Sequence, residues 1–150
     1  MAGERREYVD KKHKVMGIYC DLCEKYNGGN SKFIKKQLKQ LIKKNPDFLD
    51  SYLLLYEILQ DEGNLQKGEK VLNEAYERAV KLITDEQGNW PDILEWGWLE
   101  NRHIIRTFLN KVISLWKNKK IDNALDLFGK LLKTNPRDNV GGTIYYWQLE

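Results

Sequence analysis

Two cysteines in a Cys20-Asp21-Leu22-Cys23 run and two histidines, His13 and His103, are the side chains whose types invite chemistry beyond packing. A Cys-x-x-Cys pair can hold zinc or exchange a disulfide, but structural zinc asks for four ligands and no second pair follows. His13 and His103 stand far apart in the sequence, without the spacing of a ligand pair. Redox pairs open a helix after a strand, where the dipole lowers the thiol pKa. This pair falls inside an expected helix. Cys20 and Cys23 are therefore expected to bind no metal, and His103, beside Asn101-Arg102 and near two tryptophans, is expected to be a packed or surface residue rather than a catalytic one. Gly28-Gly29 and Gly141-Gly142 lack the spacing and lysine of a phosphate-cradling loop. The carboxylates fall on expected helix surfaces, so none is singled out as a general acid. No enzyme and no cofactor is expected.

Charge is unevenly placed along the chain. The net charge of +3 conceals a basic stretch over residues 1–46 (12 Lys/Arg against 5 Asp/Glu), an acidic one over 47–104 (5 against 13) and a basic one over 105–150 (8 against 4). The densest cationic segment holds Lys32, Lys35, Lys36, Lys39, Lys43 and Lys44 with no acid, opposite Phe33, Ile34, Leu38, Leu41 and Ile42. An amphipathic basic helix of this kind can bind nucleic acid or an anionic surface. The stronger reading is a solvated outer face, because the apolar side is needed for packing. No run approaches the length that spans a bilayer. The charged amino terminus is followed by no apolar signal core. With two cysteines that make no disulfide framework, a cytoplasmic location is expected.

The elements that must position these residues are helices. Apolar residues recur at three- and four-residue spacing, as in Ile34, Leu38, Leu41, Ile42 and again in Leu125, Phe128, Leu131, Leu132. The three prolines, Pro46, Pro91 and Pro136, each fall at a break, two of them in the phrase Asn-Pro. Asn27-Gly28-Gly29-Asn30, Glu62-Gly63-Asn64 and Asn118-Lys119-Lys120 read as tight turns. The spacing predicts helices over 8–27, 31–44, 49–62, 65–84, 102–118 and 121–133, with the longest central break at 85–91.

The helical stretches repeat with a period near 34 residues. Residues 47–80 place Tyr52, Leu55, Tyr56 and Leu59 before Gly63-Asn64-Leu65, then Gly68, Leu72 and Ala75. This resembles the tetratricopeptide repeat, with Tyr56 standing where the family prefers glycine and Gly68 replacing its usual alanine. Residues 105–136 repeat the pattern through Phe108, Val112, Leu115, Ile121, Ala124, Phe128, Leu131 and Pro136, with Lys119-Lys120 in place of the turn glycine. A weaker copy covers 15–46. The resemblance implies an all-α, right-handed solenoid of about three hairpins in one domain, residues 1–150, with a tryptophan-rich insertion at about 85–104. It also places Ala124 where two helices cross. The string Glu100-Asn101-Arg102, Arg106, Asn135-Pro136-x-Asp138-Asn139-x-Gly141 is similar to one in some bacterial proteins with such repeats, to which no activity attaches.

Proteins of the tetratricopeptide family bind peptide or protein segments on the concave surface made by the first helix of each unit. Carried onto this chain, the resemblance implies a scaffold with a protein or peptide partner and a groove of Tyr19, Cys23, Tyr26, Leu53, Glu57, Gln60, Arg106, Leu109, Ile113 and Trp116. Self-association is compatible with it, and nucleic acid is the less favoured partner. The basic and asparagine clamp by which one subgroup grips chaperone tails would fall on Tyr19, Cys23, Leu54, Arg106 and Asn110, and is mostly absent. Trp90, Trp96 and Trp98 are expected to be covered and to shape one wall of the groove.

Overall fold

Helical periodicity becomes six helices in the computed structural model, which describes residues 4–13 and 16–135. They are α1 (Gly17–Lys25), α2 (Ser31–Lys44), α3 (Asp50–Asp61), α4 (Leu65–Ile83), α5 (Arg102–Lys117) and α6 (Ile121–Thr134), with one 3-10 turn, Leu99–Asn101, leading into α5. The helices pack in sequential pairs. None among the described residues is long and apolar enough to cross a membrane.

The two best-formed hairpins turn in the same way. Gly63 at φ 78° donates its N–H to the Gln60 carbonyl, and Asn64 N–H reaches back to Leu59. Lys119 at φ 63° repeats this with Trp116, and Lys120 N–H reaches back to Leu115. Both are Schellman caps, which satisfy carbonyls left over at a helix end and put one residue in the left-handed region. After each turn a small residue sits where the second helix crosses the first. Ala124 is fully buried, and a Cβ added to Gly68 would stand 3.4 Å from the Tyr56 ring.

The core is formed by two clusters. Leu22, Ile34, Leu38, Leu54, Leu55, Ile58 and Leu59 join α1, α2 and α3. A larger cluster runs through Leu49, Tyr52, Ala75, Ile83, Ile105, Phe108, Ala124, Phe128 and Leu131, and Ile42 and Val71 touch both. Side-chain contacts fix the relative directions. Ser114 meets Glu69, Lys111 meets Asn73, and the Phe108 ring meets Tyr76, so α5 runs antiparallel to α4. On α2 Ile34, Leu38 and Leu41 are buried and Ile42 half-buried, but Phe33 of the expected apolar side is exposed; Lys32, Lys36, Lys39, Lys43 and Lys44 face solvent and Lys35 pairs with Glu62.

Two expectations are corrected. The predicted helix over 8–27 is helical only from Gly17; its start is instead an extended strap. Arg6 and Tyr8 exchange backbone hydrogen bonds with Asp92 and Ile93, giving an isolated parallel bridge between Glu7 and Ile93. The pairing across the chain uses the strap's peptide groups, which a helix would have turned inward. The central break is also longer than 85–91. Irregular chain runs from Thr84 to Trp98, up to the 3-10 turn at Leu99–Asn101. The capped turn yields a first test: Lys119→Gly should raise stability in a denaturant titration by about 0.5–1 kcal/mol, because the left-handed conformation strains a residue with a Cβ.

Candidate functional site

α1, α3 and α5 enclose a groove of about 430 Å³. Its floor is set by the first turn of α3, where Asp50 is 5% exposed. A buried carboxylate needs a partner, and Arg106 on α5 supplies two hydrogen bonds, Nε to Oδ1 at 3.1 Å and Nη2 to Oδ2 at 2.7 Å. The fork geometry holds both side chains and fixes α5 beside α3. Asn110 donates to the Arg106 carbonyl at 2.8 Å. With Asp50 opposite Arg106, and Glu57 to Asp61 sharing the groove with Ile113 and Lys117, the two helices run parallel. The groove therefore has a guanidinium end and an acidic end at Glu57 and Asp61.

Of the residues singled out in the sequence, Tyr19, Leu53, Glu57, Gln60, Arg106 and Ile113 line this groove, and Asp50, Leu54, Tyr56, Asp61, Asn110 and Lys117 line it with them. Tyr26 reaches its acidic end, its hydroxyl donating to Asp61 Oδ2 at 3.2 Å. Leu109 is buried in the large core cluster, and Trp116 is half-buried against it. Cys23 is exposed on α1, and Cys20 is half-buried. Burial pushes the Cys23 thiol up, with a hydrogen bond from Tyr19 acting against it. A raised thiol is a poor nucleophile and a poor metal ligand at neutral pH.

The tryptophans of the insertion have three different settings. Trp90 packs on Phe108 at 4.7 Å between ring centroids, away from the groove. Trp96 lies beneath two guanidiniums, Arg102 at 4.7 Å and Arg106 at 5.5 Å from the ring centre, and adjoins the groove through Arg106, the one of the three that lines it. Trp98 remains 44% exposed, contrary to the expectation that all three are covered, and its indole donates to Glu7 at 3.0 Å. That hydrogen bond holds the indole against the strap while its face stays in solvent.

A second constellation lies where the strap meets α3 and α5. The sequence reading kept His13 and His103 apart and placed the carboxylates on helix surfaces; the fold corrects both. Asp10 is 2% exposed, and its Oδ2 receives His103 Nε2 at 2.7 Å and His13 Nδ1 at 2.8 Å. Three such atoms within 4.8 Å of one another are a conceivable metal triad. The donor chemistry argues against it. Leu49 N–H donates to His103 Nδ1 at 2.9 Å, so the ring proton sits on Nε2, directed at Asp10. A metal on Nε2 would move that proton to Nδ1 and set it against the amide N–H. The trio is a hydrogen-bonded junction. Phe48 stacks on His103 at 5.4 Å and covers it.

Two buried asparagines complete the junction. Asn101 Oδ1 accepts Asp10 N–H at 2.8 Å while its amide donates to the Tyr8 carbonyl at 2.8 Å. Asn135 Oδ1 accepts Trp96 N–H at 2.8 Å and its amide donates to the Leu94 carbonyl at 2.6 Å. Arg102 Nε donates to the Trp96 carbonyl at 3.0 Å. Asn101, Arg102 and Asn135 of the Glu100-to-Gly141 string thus hold irregular backbone; its part beyond Asn135 lies outside the described residues.

In comparisons with known proteins, no family model, curated protein or solved structure matches this chain.

Burial raises the Asp10 carboxyl, but the hydrogen bonds from His103 and His13 outweigh it and hold the group below the ordinary carboxylate range. A depressed folded pKa contributes stability above the unfolded value, near 4, and loses it as pH falls through the folded value. Asp10→Asn should cost about 2–4 kcal/mol at neutral pH, because it leaves the buried His103 ring and the partly buried His13 ring without a charged acceptor. Urea titrations from neutral to acid pH should show the gap to wild type constant above about pH 5 and shrinking below about pH 4.

Proposed function

We propose that this protein is an interaction module that seats a segment of a protein partner in the groove between α1, α3 and α5. Its three hairpins are read as a short right-handed tetratricopeptide-like solenoid. The carrying observation is the groove itself, with an apolar floor at Leu53, Leu54 and Ile113, rings at Tyr19 and Tyr56, and polar tips at Gln60 and Asn110. Aromatic and aliphatic anchors around a few fixed polar groups are what protein recognition uses. The equivalent caps at Gly63 and Lys119 and the parallel run of α3 and α5 support the solenoid reading, since stacked hairpins expose their first helices on one side.

A binding role also fits the chemistry of the polar residues. Both ring nitrogens of His103 are engaged, and the Cys23 thiol is pushed up by burial. The rival reading, nucleic acid on the lysine face of α2, has exposed charge in its favour but lacks a stacking ring beside that face other than Phe33, which is 55% exposed.

The test is selection from a random peptide library against the full chain, with binding of the selected peptides measured by titration. Ile113→Arg blocks the groove from a half-exposed position and should weaken binding by about tenfold or more, whereas Lys36→Glu with Lys39→Glu should not. Equal binding by Ile113→Arg, or a steep salt dependence for RNA abolished by the lysine changes, would reverse the assignment.

A further inference from the structure

We infer that Arg102 and Arg106, gathered on Trp96, receive one carboxylate side chain of the segment seated in the groove, so that the partner is an acidic peptide rather than a phosphorylated one. The inference rests on the groove reading and adds the chemistry of one end of it.

Three observations carry it. Both guanidiniums stand within reach of one indole, at 4.7 and 5.5 Å, one helical turn apart on α5. Each is also tied down by a second bond. Arg106 is forked onto Asp50, and Arg102 is held through Nε to the Trp96 carbonyl. Long cationic side chains normally lose much rotamer freedom when they bind an anion. Here that freedom is already restricted. The terminal nitrogens of Arg102 take no part in any ion pair among the described residues, and they have no hydrogen bond there. They are donors held in place and left for an acceptor.

Charge selects the acceptor. Asp50 neutralises Arg106, so the pair contributes orientation and Arg102 contributes the uncompensated unit charge. One unit matches one carboxylate, whereas a phosphate dianion would remain under-neutralised against the adjacent buried Asp50. The opposite end of the groove carries exposed Glu57 and Asp61 beside Lys117, which gives a bound segment a preferred direction, acid toward Trp96.

The experiment uses the full chain and the random peptide library, selecting on wild type, Arg102→Gln and Arg102→Glu, with thermal melts to confirm folding. Wild-type peptides should carry Asp or Glu at one fixed position, and Arg102→Glu should select Lys or Arg there. Replacing the peptide's acid by its amide should weaken binding about tenfold, the scale of one partly exposed charge-assisted pair. The same loss should follow from Arg102→Gln, and the two changes together should lose no more than either alone. Should Arg102→Gln unfold, Arg102→Lys and the change on the peptide side give the same reading. Peptides that depend on Ile113 but show no acidic position, or losses that add in full, overturn this inference and leave the groove reading standing. Phosphoserine in place of the acid binding tenfold tighter assigns the site to phosphate and also overturns it. Selection that Ile113→Arg does not affect overturns the groove reading itself.

Discussion

An irregular stretch of chain laid against a helical core has peptide groups that neither helix nor water will satisfy, and that constraint organises this protein. Leu94 is fully buried in the large cluster, so the segment from Thr84 to Trp98 is drawn in with its backbone polar groups attached. An unpaired buried peptide group costs as much as several ordinary contacts return. Asn135 takes both sides of the problem at Leu94 and Trp96, and Arg6 caps the carbonyls of Ile83 and Asn89. Asparagine suits the task because one amide carries a donor and an acceptor. The strap, the insertion and the start of α5 are consequently one connected unit.

At the centre of that unit the ionised Asp10 is matched to its surroundings on every side that the described residues show. It accepts from two imidazoles through one oxygen and from Lys12 N–H at 3.1 Å through the other. Leu49 N–H fixes the tautomer of His103 from behind, so the first turn of α3 takes part in orienting a ring that belongs to α5. The same turn supplies Asp50 to Arg106. Two buried carboxylates, one from the strap and one from α3, therefore set how α5 lies against α3, and with it the shape of the groove.

What was legible in the sequence follows from the range of the forces involved. α2 through α6 were read within a residue or two because their signals are local: period, proline and turn residues. The turn at Lys119 was visible as a polar break. Its left-handed backbone was not, because lysine gives no sign of it and the conformation is imposed by the cap. The strap was misread because its conformation is decided by partners at Asp92, Ile93 and Asn101. Asp10 was missed for the same reason, since nothing in its neighbours marks a charge that will be buried. Tyr19, Leu53, Glu57, Gln60, Arg106 and Ile113 line one groove because helix periodicity already puts them on the facing sides of α1, α3 and α5. Leu109 and Trp116 pack in or against the core cluster instead, because α5 packs against α3, α4 and α6 and so buries a wider face than an outer helix does.

The strap's bonds close the widest loops among the hydrogen bonds of the described chain, Asp10 to His103 and Tyr8 to Asn101 each across 93 residues. The helical hairpins close over a few residues and assemble quickly, whereas contacts at such separation carry a loop entropy that only a formed docking surface offsets. During synthesis the strap leaves the ribosome well before α5, yet it has nothing to bind until α5 has followed it out. An early segment of the described chain is thus among the last to find its place, and the junction at Asp10 records completion of the fold through α5.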